Sequence, residues 1–463
     1  MRYHSTRGQA PELSFTAASL TGLAADSGLY LPTTWPQVDA ATYARLRTAS
    51  YTDWATYIVG LFAADSLAPA TLQQLVLQAH QPFRHAAVSP LVQLDSAQWL
   101  LELFHGPTLA FKDYALQFLG VLTEHLLADS NRQVTVLGAT SGDTGSAAIA
   151  AFAGKPNINI VILHPHGQPS EIQRRQMTTV LANNVHNIAI KGTFDDCQDA
   201  VKTLFSDAPL KQQLGLTAVN SINIARIVAQ VTYYAYACAK LGATAEHLLS
   251  FCVPTGNFGN IFAGYVAKQI GLPINKLIIA SNKNDILTRT LMTGDMKIEQ
   301  VEPSLSPSMD IQISSNFERL LFLLLDRDAA ALRQLLAEFR THGCCTLPKT
   351  VIAKLRQDFM AFAADDTDTL STIQSTYKAT GQVVDPHTAV GLFAASQARQ
   401  TGLSDCLINL ACAHPAKFPT ALQSAVGLHP PLPDFLEDLL TRQERYVTLP
   451  PDVESLRQHI QTL

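Results

Sequence analysis

The stretch QVTVLGATSGDTGSAAIAAF, residues 133–152, decides the fold class. Gln133 to Leu137 is a short β-branched run of strand type, and Ser146 to Phe152 is a row of small and apolar residues suited to a buried helix. Between them lie three glycines and four side chains with a hydroxyl or a carboxyl: Thr140, Ser141, Asp143 and Thr144. The same strand–turn–helix grammar continues outward. Ile158 to Leu163 reads as a second buried strand, Ser170 as the N-cap of the polar helix after it, and Val185 to Ile190 as a third strand. Further on, Ile222 to Leu241 reads as a long helix closed by Gly242, and Leu248 to Val253 as a strand. A loop then leads into a helix from Asn260 to Ile270, stopped by Gly271, and Lys276 to Ser281 is another strand. Repeated units of this kind favour parallel sheets with helices on both faces. Ligands in such α/β folds bind at the carboxyl ends of the strands, where the glycine-rich turns lie.

The first ninety residues read instead as short helical pieces and loops, ending near Val88-Ser89-Pro90. The expected division is an N-terminal domain over 1–90, one α/β domain over 91–245 and a second over 246–463. Loop and amphipathic helix interrupt the second from about Thr293 to Asp368. Of the 463 residues, 47% are hydrophobic and 15% charged, enough for large cores and against disorder. A net charge of −5, with Lys and Arg scattered, argues against nucleic acid or an anionic membrane as the main partner. The apolar runs are too short to span a bilayer, and the polar first fifteen residues do not resemble a signal peptide. Seven cysteines, odd in number and without metal or redox spacing, fit a reduced, cytoplasmic protein with no structural zinc.

Five segments carry candidate chemistry. In LFHGPTLAFKD, residues 103–113, Lys112 follows a Gly-Pro turn and is flanked by Phe111 and small apolar residues. Burial would lower its pKa and free an amine to condense with a carbonyl, although a lysine seen alone is more often an ion-paired surface residue. The turn 138–145 offers backbone N–H groups and hydroxyls at a helix N-terminus, an anion cradle that reads equally as a plain βα turn. PTGNFGN, residues 254–260, holds Gly256, Asn257, Phe258, Gly259 and Asn260 between strand and helix, where a backbone can wrap a dianionic phosphate. NSINIAR, residues 220–226, places Asn220 and Ser221 at a helix start and Arg226 two turns in: an N-cap with a solvated arginine, or a second phosphate site. CAHPAKF, residues 412–418, follows the apolar strand Cys406 to Ala411 and reads alone as a strand end. Asp385-Pro386-His387-Thr388 reads as a helix cap.

Taken in order, these segments resemble the threonine synthases, and the likeness extends to SGLYLP at 27–32, SNFER at 315–319 and DPH at 385–387. It runs from near residue 15 to about 420 and points to the longer branch of that family, with an N-terminal domain. Each motif is moderately specific; their conjunction in this order is very specific. The resemblance implies a fold-type-II pyridoxal 5'-phosphate enzyme that converts O-phospho-L-homoserine and water to L-threonine and phosphate. It implies Lys112 as the Schiff-base lysine, Gly256 to Gly259 with Asn260 around the cofactor phosphate, and Asp143 near the ring hydroxyl. Thr140, Ser141, Thr144, Asn220, Ser221 and Arg226 would hold the substrate phosphate. Cys412 stands where relatives have a Ser or Thr donating to the pyridine nitrogen. A serine/threonine dehydratase or a sulfhydrylase needs no grip on a substrate phosphate, so residues 220–226 weigh against that alternative. The intact Lys112 and phosphate loops weigh against a catalytically silent binding relative, and the missing P-loop lysine against a nucleotide binder.

Overall fold

The structure is a computed structural model that describes residues 1–128, 132–218 and 221–463. Its larger strands, in chain order, are β1 (Leu91–Asp95), β2 (Gln98–Glu102), β3 (Val134–Ala139), β4 (Ile158–Pro165), β5 (Val185–Ile190) and β6 (Leu216–Ala218). They continue with β7 (Leu249–Pro254), β8 (Ile274–Ser281), β9 (Phe359–Ala363), β10 (Cys406–Ala411) and β11 (Val447–Leu449). One sheet has the order β9-β8-β7-β10-β2-β1 and is parallel except at β1, which runs antiparallel to β2. The other has the order β11-β5-β4-β3-β6 and is parallel throughout. β3, β4, β7 and β10 are almost wholly buried and rich in Val, Ile and Leu, because helices cover both of their faces.

Six helices matter below: α1 (Lys112–Leu127), α2 (Asp143–Phe152), α3 (Ile224–Lys240), α4 (Gly259–Gln269), α5 (Pro386–Gln400) and α6 (Val453–Gln461). The strands and helices expected from periodicity are present, most with ends moved by one to three residues. Ser170 caps its helix in a reciprocal capping box with Gln173. The helix expected to open at Asn220 and Ser221 opens later, with Asn223 as N-cap accepting from Ala225 N–H. Asn220 lies outside the described residues.

Two expectations about organisation change. The sheets do not divide at residue 245, since β1 and β2 join the sheet built from the later half of the chain and β11 joins the earlier one. The stretch 293–368 is also more than an interruption. It contains the helices Phe317–Leu324, Ala329–His342 and Lys349–Asp358, then supplies β9, which pairs in parallel with β8. The N-terminal residues pair Tyr3–Ser5 with Tyr30–Pro32, and pack the helices Tyr51–Ala63 and Pro69–His80 through Trp54, Phe62 and Val76. An Arg7–Glu318 ion pair at 3.0 Å ties this part to the 293–368 region. Among the described residues no helix is long and apolar enough to cross a membrane.

Candidate active site

Both glycine-rich turns sit at carboxyl ends of strands where the strand order reverses. β3 has β4 on one side and β6 on the other; β7 lies between β8 and β10. Such switch points leave a crevice above the sheet. The turn after β7 is shaped by Phe258, which holds φ 62° just before α4, and by Gly256. A Cβ on Gly256 would lie 2.8 Å from Ser308 O, so only glycine lets the 308 segment approach. Among the described residues, the N–H groups of Gly256, Asn257, Phe258 and Gly259 make no hydrogen bond within the chain. Four unmet donors at the start of an 11-residue helix are an anion cradle. Asn257 is held by Asn316, whose N–H and Nδ2 donate to its carbonyl at 3.1 and 2.9 Å, and by Ser315 Oγ at 3.2 Å from its Oδ1. Asn260 turns inward: Tyr233 Oη donates to its Oδ1 at 2.6 Å, while its buried Nδ2 has no partner among the described residues.

The turn after β3 builds a second cradle. Thr140 Oγ1 accepts from Gly142 and Gly145 N–H at 3.0 and 2.9 Å, so that hydroxyl serves the turn itself. The N–H groups of Ser141, Asp143 and Thr144 have no acceptor among the described residues, at the head of α2. Ser221 does not sit apart with this cradle: its Oγ lies 3.2 Å from Ser315 Oγ and its carbonyl accepts from Asn316 Nδ2 at 3.1 Å, beside Asn257. Arg226, at the start of α3, is buried, and burial lowers its guanidinium to about 10.

Lys112 stands between the two turns. The loop before it is stitched to the end of β10: Phe111 N–H donates to Cys412 O at 2.9 Å and His414 N–H to Leu109 O at 3.0 Å. Asp113 then folds back, accepting from Thr108 N–H at 2.9 Å and Thr108 Oγ1 at 2.6 Å. A Cβ on Gly106 would come within 2.5 Å of Asp113 Oδ2, hence the glycine of that turn. Lys112 Nζ lies 3.4 Å from Ser308 Oγ and 3.7 Å from Asp143 Oδ2. Burial lowers its amine, Asp143 works the other way, and Lys417 and Arg226 lower it again. Asp143 is also met at Oδ1 by Lys417 Nζ at 2.7 Å and Gln173 Nε2 at 2.9 Å. Burial alone would raise its carboxyl, but Lys417 and Lys112 together hold it far below the usual carboxylate range. Cys412 is buried at the strand end, and burial, with Asp385 nearby, pushes its thiol far up. Asp385 caps α5 as expected, and also holds His387 Nδ1 at 2.9 Å; His387 Nε2 is buried without a partner among the described residues.

A buried amine, unmet N–H groups in two turns and orphaned polar atoms on Asn260 and His387 fit a phosphorylated aldehyde such as pyridoxal phosphate. Ser308, Gln173 and Lys417 were not among the expected residues. Ser308 comes from the stretch that had no assigned role, and a lysine after Pro-Ala carries no local mark of burial.

Residues 83–336 match the family of pyridoxal-phosphate dependent enzymes, so fold and site together define the class, that of fold type II. Residues 2–80 match the threonine synthase N terminus and residues 388–460 the threonine synthase C-terminal family. Threonine synthase of Pseudomonas aeruginosa is 47% identical over 458 residues, covering 99% of this chain and 97% of that protein. Threonine synthase of Saccharomyces cerevisiae is 43% identical, covering 92% and 89%. A crystal structure of pyridoxal-phosphate-bound threonine synthase from Brucella melitensis superposes with a TM-score of 0.96 at 47% identity, covering 100% of this chain and 99% of that one. The chain belongs to the threonine synthase family.

Proposed function

We propose that the chain converts O-phospho-L-homoserine and water to L-threonine and phosphate, with Lys112 Nζ as the amine that holds pyridoxal phosphate. The observation that carries this reading is one buried amine set between two cradles of unmet backbone N–H groups. The chemistry needs two phosphate grips, one for cofactor and one for substrate. When bound, the cofactor supplies the electron sink for bonds broken next to the substrate amine.

The chain's own residues supply the rest. Gly256 to Gly259 grip the cofactor phosphate through their N–H groups, and Asn260 fixes the helix start behind them. Asp143 would answer the ring hydroxyl of the cofactor and Cys412 its ring nitrogen. The N–H groups of Ser141 and Thr144 and the guanidinium of Arg226 bind the substrate phosphate and offset its charge as it leaves. Thr140 shapes that turn, and Ser221 lines the wall between the two grips; Asn220, outside the described residues, is assigned to the substrate phosphate from its motif alone. Lys112 Nζ would hold the cofactor and, as the amine nearest the reacting carbons, would carry protons at the α- and β-carbons.

Phosphate release from O-phospho-L-homoserine, measured beside ammonia release from serine and threonine, tests the reading. Phosphate and threonine should appear in equal amounts. Lys112→Ala should abolish both while cofactor is still retained non-covalently. Arg226→Ala should lower kcat/KM for phosphohomoserine by roughly ten- to a hundredfold, the value of a charge-assisted phosphate contact, and leave cofactor affinity intact. Turnover of serine without phosphate release would overturn the assignment. A loss of cofactor affinity in Arg226→Ala would reverse the two phosphate grips.

A further inference from the structure

The site contains a second lysine that the proposed chemistry does not use. Lys417 ends the short 3-10 turn Pro415–Lys417 after β10, and its side chain is 0% exposed. Its Nζ lies 2.7 Å from Asp143 Oδ1 and donates to Thr108 O at 2.9 Å. The other carboxylate oxygen, Oδ2, faces Lys112 Nζ at 3.7 Å. One buried carboxylate therefore stands between two buried ammonium groups, brought together from β10, the head of α2 and the head of α1. A buried charge is tolerated only when it is paired and hydrogen-bonded, and here a single anion answers two cations.

We propose that Lys417 is a positioning residue for Lys112. It grips Asp143 Oδ1 so that Oδ2 is turned to Lys112, and by its own charge holds the Lys112 amine ready to lose its proton. This rests on Lys112 being the cofactor lysine. Facing Lys112 are Asp143, Lys417, Arg226 and Cys412; facing Asp143 are Lys417, Lys112, His387 and Gln173. Lys417 in turn faces Asp113, whose carboxyl burial raises to about 6 against the Thr108 hydrogen bonds and Lys417, and His414, which burial lowers to about 4. In this set Lys417 and Arg226 oppose protonation of Lys112, and Lys417 shares the anion that favours it. Without the Lys417 charge, Asp143 would answer Lys112 alone, and Lys112 would hold its proton more tightly.

The test is the rate at which apoenzyme takes up pyridoxal phosphate, followed over a pH series by the visible absorbance of the lysine-bound cofactor. In Lys417→Met the midpoint of the pH–rate curve should move up by about one unit, a roughly tenfold slower uptake near pH 7. A side chain that served packing alone would lower Tm and leave the midpoint where it was, so a folded Lys417→Met protein with an unmoved midpoint overturns the proposal. If that variant does not fold, Lys417→Gln keeps a donor for Thr108 O, loses only the charge, and should move the midpoint the same way; an unmoved midpoint overturns the proposal equally. If neither folds, the double variant Asp143→Asn/Lys417→Gln, which removes both charges, should fold, and its failure to do so overturns the charge argument. Borohydride reduction of the wild-type holoenzyme and peptide mapping separate the two readings. Label on Lys417 in place of Lys112 sinks the functional reading above; label on Lys112 together with an unmoved midpoint overturns this proposal alone.

Discussion

Cys412 is the residue proposed above to meet the ring nitrogen of the cofactor. Its thiol is buried, donates only weakly to Leu410 O at 3.6 Å, and is held neutral by burial and by Asp385. A neutral partner at the ring nitrogen leaves the ring unprotonated, and a hydroxyl would do the same with a stronger donor. Cys412→Ser should therefore keep threonine formation at or a little above the wild-type rate. Cys412→Asp should shift the ratio of threonine to side products, measured by chromatography. An unchanged ratio and an unchanged cofactor spectrum in a folded Cys412→Asp protein would show that the residue never meets the ring. Lys112, Asp143 and the 256–259 turn were legible because each lies in a short contiguous motif whose glycines and hydroxyls have few other uses. Ser308 and Lys417 were not, since what marks them is a partner far away in the chain.

At the level of elements, the start of α1 sets the geometry of Lys112. Phe111 is already helical there and gives no side-chain cap, so Asp113 in the first turn reaches back to Thr108 instead. Burial raises the Asp113 carboxyl to about 6, above its unfolded value near 3.8. Between those values the native state binds more protons than the unfolded chain, so this group's contribution to stability declines as pH rises through the window. Two units correspond to about 3 kcal/mol. Asp113→Asn should escape that decline, and the Tm difference between variant and wild type should grow in the variant's favour from about pH 4 to pH 6. Parallel Tm curves for the two proteins would disprove the assignment. β3, β4 and β5 were legible as apolar β-branched runs bounded by turns. β9 was not: FMAFA at 359–363 follows directly on a helix, shows no alternation, and becomes a strand only because β8 offers it an edge.

For the whole molecule, the two sheets exchange segments, and no sequence boundary marks where they do so. Composition and periodicity identify strands but not their neighbours, which is why a break at residue 245 looked natural. The last helix, α6, places Leu456 and Ile460 in the core of the smaller sheet with Val161, Ile188 and Leu204. Leu456 is buried and far in sequence from every site residue. Leu456→Ala should cost roughly 2–5 kcal/mol in denaturant unfolding, as truncations of buried leucines do, with kcat at 25 °C unchanged. A loss of kcat without loss of stability would mean that the C-terminal segment acts on the site directly.

The place of β10 has a consequence for how the chain is made. It lies between β7 and β2, yet leaves the ribosome after both. Until residue 411 has emerged, the nascent chain carries a β1–β2 hairpin and a β7–β8 pair with facing edges unfilled, and such edges recruit other chains. Slowed translation between residues 282 and 405 should thus depress soluble yield, whereas the same delay placed after 411 should not.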